Sequence, residues 1–105
     1  MKFVHDTKKM EANSERAARF LKSIANPLRL RILCKLLDGE MTAGDLSRGL
    51  EISQANLSQH LTWLKKEKLV EFSRKGTAIT YRLRGTQLEP MMNILYVMFC
   101  EADET

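Results

Sequence analysis

Two residues, Glu51-Ile52, are all that separate two helical segments of this chain, and no other feature narrows its possible folds as far. Thr42-Ala-Gly-Asp45 opens the first segment, with Thr42 as N-cap, Asp45 near the positive end of the helix dipole, and Leu46 and Leu50 facing inward. Ser53 caps the second. With Leu57 at the centre of its buried face, about 100° per residue sets Leu61 and Leu64 beside it. Ala55, Gln59, Thr62 and Lys66 then fall opposite, with Asn56 and Ser58 flanking them. A joint this short forces a sharp turn between the two helices.

The flanking segments complete one domain. Ala17, Ala18, Phe20, Leu21 and Ile24 give Met10 to Ile24 a helical spacing, behind a polar, uncapped N-terminal arm over residues 1–9 that is expected to be flexible. Asn26-Pro27 opens another helix, with Asn as cap and Pro at the first helical position. Its stripe is Leu28, Ile32, Leu33, Leu36 and Leu37; Cys34 lies within it, and Gly39 is its stop. Val70 and Phe72, then Ile79, Tyr81 and Leu83, alternate with period two around Arg74-Lys-Gly-Thr77, which predicts a β-hairpin turning at Gly76. Thr86-x-x-Glu89 reads as a capping box opening a last helix from Gln87 to about Glu101, before an acidic tail over residues 101–105. The expected fold is mainly α with a small β-hairpin, in the order α-α-α-α-β-β-α. Its 105 residues suit a single domain. No apolar run reaches the ~18 residues of a membrane span, and the N-terminus lacks a signal peptide's apolar core, so a cytoplasmic protein with no membrane partner is expected.

Charge points to the partner. The net +4 conceals an asymmetry: Ser53 to Arg84 carries seven basic and two acidic residues, or +5, leaving −1 on the remainder. A basic block on a balanced domain is the footprint of a polyanion. A turn between two helices followed by a cationic hairpin is a helix-turn-helix with a wing, whose second helix enters the major groove of double-stranded DNA. Gln54, Asn56 and Gln59 suit base edges, because a primary amide donates and accepts at once. Ser53, Ala55, Ser58 and Thr62 share or border that face, while Lys65, Arg74, Lys75 and Arg82 suit phosphate or the minor groove. A helix merely in contact with water would more often carry Glu and Lys there.

The last helix is apolar nearly all round: Leu88, Met91, Leu95 and Met98 form one stripe, and Ile94 and Val97 widen it. A helix of this kind is buried on more than one side, and a chain of this size cannot supply that cover alone. A homodimer is therefore expected, formed by Phe20 and Ile24 of the first helix with Met91, Ile94, Leu95 and Met98. The alternative is a patch for a different protein or a membrane surface.

Ala25-Asn-Pro-Leu-Arg-Leu-Arg-Ile-Leu33, Ser53-Gln-Ala-Asn-Leu-Ser-Gln-His-Leu61, Leu64, Leu69-Val70 and Gly76-x-x-x-x-Tyr81 resemble the ArsR/SmtB winged-helix repressors, from about Ser14 to Cys100. The resemblance implies a homodimer that binds an inverted-repeat operator and is released by a chemical signal. Neither familiar metal site of that family is present. The stretch matching its Cys-x-Cys is Glu40-Met-Thr-Ala-Gly-Asp-Leu46, and the last helix has no His. Two thiols with His5 and His60 unplaced fall short of the four converging ligands of a tight zinc site.

Cys34 and Cys100 remain. By residue type alone they could be small buried hydrophobes. Their positions resemble the persulfide- and redox-responsive (BigR-, SqrR- and HlyU-like) branch, which implies a dithiol on these two helices whose bridging by reactive sulfur or oxidants releases DNA. The alternatives are a metal-responsive repressor and, further off, a thiol-disulfide redox protein. The latter lacks the Cys-x-x-Cys that lowers a thiolate pKa, so neither an enzyme nor a resident cofactor is expected.

Overall fold

Asp6 and Asn13 shape the start of the chain in a way that apolar spacing does not show. In the computed structural model, which describes residues 6–85 and 88–101, Met10 to Ile24 is not one helix but part of two: α1 (Thr7–Ala12) and α2 (Ser14–Ile24). The Asp6 carboxylate accepts from the amides of Lys8 (2.8 Å) and Lys9 (3.4 Å), capping a helix inside the stretch expected to be an uncapped arm. At Asn13 the side-chain amide donates to Lys9 O at 2.8 Å, competing with the helical ladder and ending the first segment.

α3 (Pro27–Leu36) starts as its sequence indicates: the Asn26 side chain accepts from the amides of Leu28 and Arg29, both at 3.0 Å. α4 (Ala43–Leu50) opens on a reciprocal capping box between Thr42 and Asp45, and α5 (Gln54–Lys66) on the Ser53 hydroxyl, which accepts from Asn56 N at 3.1 Å. The wing is β2 (Val70–Lys75) against β3 (Ala78–Leu83), antiparallel, with Phe72 opposite Tyr81 and Lys75 opposite Ala78. Gly76 has φ +66° at the first of two loop residues, a conformation that favours glycine. A third strand, β1 (Met41–Thr42), pairs with β3 and makes the sheet order β1-β3-β2. Two residues are too few to show a period, so the expected two-stranded hairpin becomes a three-stranded sheet. α6 (Leu88–Phe99) follows; the proposed capping residue Thr86, and most of the acidic tail, lie outside the described residues.

The core gathers Ile24 of α2, Ile32, Leu33 and Leu36 of α3, Leu46 and Leu50 of α4, Leu57, Leu61 and Leu64 of α5, Val70 and Tyr81 of the wing, and Leu88 and Met92 of α6. At its edge the Glu67 carboxylate, with its side chain 8% exposed, accepts from Arg19 (3.1 Å) and from the buried Ser23 hydroxyl (3.1 Å), tying α2 to the end of α5. The Arg19 hydrogen bond, with Ser23 and nearby Lys66 assisting, holds Glu67 below the usual carboxylate range against the opposing effect of burial.

α4 and α5 end alike. Ile52 N donates to Ser47 O (3.1 Å) and Glu51 N to Arg48 O (3.3 Å); Leu69 N donates to Leu64 O (2.9 Å) and Lys68 N to Lys65 O (3.0 Å). Each is the paired closure of a Schellman stop, with a non-glycine residue in the left-handed region: Glu51 at φ 56° and Lys68 at φ 61°. A left-handed L-residue costs about 1–2 kcal/mol, and added freedom of glycine in the unfolded chain offsets about 0.5–1 kcal/mol of any relief. Glu51→Gly is therefore expected to stabilise the fold by about 0.5–1 kcal/mol. The check is a rise in the urea midpoint with an unchanged m-value.

Candidate nucleic-acid interface and thiol groove

α5 is oriented by its three leucines. With Leu57, Leu61 and Leu64 buried, Gln54, Ala55, Asn56, Ser58, Gln59 and Thr62 are all exposed on the outer side of the helix. The structure thus brings the amides and hydroxyls singled out in the sequence onto the outer surface of the second helix of the turn, all but Thr62 in its N-terminal half. Ser53 is also exposed, though its hydroxyl already accepts from Asn56 N.

The cations are arranged less simply. Arg74 is exposed at the tip of the wing, with no carboxylate partner among the described residues. Lys75 Nζ lies 3.1 Å from Glu40 Oε1. Arg82 donates from Nε to Glu71 at 2.8 Å and has a second nitrogen 3.9 Å from Glu40. Lys65 is half-buried, its ammonium 4.9 Å from the centre of the Phe72 ring and 5.9 Å from that of Tyr81. It braces α5 against the wing and is not extended into solvent. Glu40, just before β1, is the residue that sequence reasoning missed here, because its approach to the wing depends on a strand two residues long.

Trp63 also has a partner that spacing does not show. The Arg29 guanidinium of α3 lies 4.7 Å from the centre of its indole, and Lys66 lies 5.9 Å away. The buried Arg29 Nε has no hydrogen-bond partner, and the aromatic face supplies its electrostatic complement. Arg31, also on α3, donates to Leu50 O at 2.8 Å, satisfying a carbonyl at the end of α4. α3 therefore touches both helices of the turn.

Cys34 of α3 and Cys100, just past α6, are free and exposed, and both line one groove of about 510 Å³ with Leu30, Leu37, Met92 and Leu95. Desolvation by these surroundings pushes the Cys34 thiol up, and the neighbouring Cys100 adds to the shift. Among the described residues no three His, Cys, Asp or Glu side chains converge as metal ligands.

The residues expected at a dimer contact divide. Ile94 and Met98 are each 57% exposed, Phe20, Met91 and Leu95 are half-buried, and Ile24, at 4%, is packed into the chain's own core. Leu21 and Val97, both about half exposed, extend the apolar surface instead. No helix among the described residues is long and apolar enough to cross a membrane.

Known proteins are similar to this chain in sequence and in fold. Residues 26–71 match the model of the family described as bacterial regulatory protein, arsR family. The chain is 43% identical over 95 residues to the transcriptional activator HlyU of Vibrio cholerae, covering 90% of this chain and 88% of that one. It is 35% identical over 95 residues to the biofilm growth-associated repressor of Xylella fastidiosa, covering 90% and 83%. The crystal structure of that organism's repressor BigR superposes with TM-score 0.86 over 91% of this chain and 98% of the other, at 34% identity. A homodimeric winged helix-turn-helix DNA-binding domain from Mycobacterium bovis superposes with TM-score 0.76 at 28% identity, over 95% and 93%.

Glu40 sets a limit on how much positive charge the wing can offer. Glu40→Gln removes one negative charge from between Lys75 and Arg82, so duplex DNA is expected to bind about two- to threefold more tightly at low salt. The gain should fade as salt screens the wing, which a fluorescence-anisotropy titration at several ionic strengths would follow.

Proposed function

Because the chain belongs to the ArsR family of bacterial regulatory proteins, whose members regulate transcription by binding DNA, we propose that it is a homodimeric repressor that releases an inverted-repeat operator when Cys34 and Cys100 are bridged. The observation that carries this reading is that the two cysteines, 66 positions apart in sequence, line the same groove between α3 and α6. A thiolate attacks the oxidant, or the outer sulfur of a persulfide whose own thiol leaves, and the second thiol attacks the adduct and expels water or sulfide to give a disulfide. Where both cysteines are first persulfidated, loss of hydrogen sulfide between them leaves a trisulfide.

Closing such a link pulls on α3, and α3 holds α4 through Arg31 and α5 through Arg29. The coupling need not be large: about 3 kcal/mol shifts operator affinity more than a hundredfold. Two copies are supported by the apolar surface of Leu21, Ile94, Val97 and Met98, too much exposed hydrophobic area for a free helix face. In the dimer, Gln54, Asn56 and Gln59 read base edges, with Ser53, Ala55, Ser58 and Thr62 at the same surface. Arg74, Lys75 and Arg82 hold phosphates, and Lys65 fixes the wing's angle to the helix.

Two measurements test the two halves of the reading. Gln59→Ala is expected to reduce the preference for operator over random DNA by about 1–3 kcal/mol, whereas Lys75→Ala weakens both and lowers the salt slope by about 1. Binding that is independent of ionic strength would rule out the DNA role. In an operator-release assay with persulfide, peroxide and zinc, a Cys34→Ser/Cys100→Ser double variant should stay bound under every thiol-reactive reagent. Normal release by that variant would eliminate the dithiol, and release by zinc alone would favour a metal inducer.

A further inference from the structure

The groove holding the two thiols has a chemical character that can select what reaches them. Its walls are Leu30 of α3, Leu37 just past that helix, and Leu95, Tyr96 and Phe99 of α6, and the acidic Asp38 stands among them. At about 510 Å³ it falls within the range of small-molecule pockets, far larger than hydrogen peroxide needs. Phe99 is 65% exposed, as a side chain at the mouth of such a site would be.

The groove and the apolar surface assigned to the second copy occupy different sides of α6. At about 100° per residue, Met92, Tyr96 and Phe99 centre on one face, and Ile94, Val97 and Met98 on a face about 180° away. The two helix faces can therefore serve separate ends. On its other side Cys34 borders a polar groove with Arg31 and Lys35, but the Arg31 guanidinium is already bonded to Leu50 O.

We propose that the α3–α6 groove is a binding site for uncharged organic hydroperoxides with an apolar substituent, and that Cys100 is the residue they oxidise first. This rests on the dithiol reading above and adds the class of inducer. The substituent lies against the leucines and Phe99, while the apolar walls and Asp38 disfavour anionic reagents. The Cys100 thiolate attacks the terminal oxygen, forming an S–O bond as the O–O bond breaks. Sulfur loses two electrons, the hydroperoxide is reduced to an alkoxide, and the alkoxide takes a proton from water to leave as the alcohol. Cys34 then displaces the hydroxyl of the Cys100 sulfenic acid, giving the disulfide and one water. Cys100 directly follows Phe99 in the groove lining, whereas desolvation and the neighbouring Cys100 raise the Cys34 thiol and leave less thiolate there for the first attack.

The test compares cumene hydroperoxide, hydrogen peroxide and glutathione persulfide, each rate normalised to that with free cysteine, by operator release and intact mass. The full-length chain is expected to react at least tenfold faster with cumene hydroperoxide than with hydrogen peroxide. Phe99→Ala should lower the cumene hydroperoxide rate at least tenfold relative to the hydrogen peroxide rate, a change of ratio that a folding defect would not produce. A sulfenic-acid trap should label Cys100 in Cys34→Ser and leave Cys100→Ser unlabelled. Equal normalised rates for the two peroxides, or a faster reaction with the anionic persulfide, would overturn the ligand class and leave the dithiol sensor standing. Oxidation of both thiols without DNA release would overturn the sensor itself, and the proposal with it.

Discussion

Burial of three leucines on one helix sets the orientation of everything that faces outward. Leu57, Leu61 and Leu64 are all but inaccessible in α5. Truncating one such side chain to alanine costs about 2–5 kcal/mol, against a total stability of about 5–15 kcal/mol for a domain. Rotating α5 to present a different face would expose all three together. The amides of Gln54, Asn56 and Gln59 are therefore held outward by packing on the far side of the helix, and no bond of their own is needed to position them.

The rest of the molecule braces that helix from several directions. Ser53 closes its start and the Lys68 turn closes its end. Glu67 joins it to α2, Arg29 joins it to α3 through Trp63, and Lys65 leans on the aromatic base of the wing. Most of these are contacts between a charge and a polarisable or oppositely charged partner, which can lengthen gradually. The leucine stripe beneath cannot. A displacement of α5 therefore stretches these outer contacts before it disturbs the core.

Much of this was legible in the sequence, and the gaps have physical causes. Caps at Asn26, Thr42 and Ser53 are local, so they can be read from residue type and position, and the structure repeats them. The leucine spacing of α5 and the alternation of the wing are periodic over enough residues to be seen. Asp6 went unread because it precedes no apolar stripe. β1 went unread because two residues carry no period. The left-handed turns at Glu51 and Lys68 carry no glycine to signal them. Among the site residues, the exposed face of α5 was legible, but the contacts of Lys75 and Arg82 with Glu40 join residues 35 or more positions apart, and only the folded sheet brings them together. Ile24 looked available for a partner because helical spacing identifies an apolar face without showing which neighbour covers it.

Trp63 is the only tryptophan in the chain. It projects from α5, and the nearest fixed positive charge on its ring comes from the helix that carries Cys34. The energy of an indole's excited state follows the local electric field, so a displacement of α3 against α5 changes the colour and yield of its emission. The chain thus carries an optical gauge of its own at the joint between α3 and α5. Movement at that joint can be followed in unlabelled protein, without placing a dye on either helix.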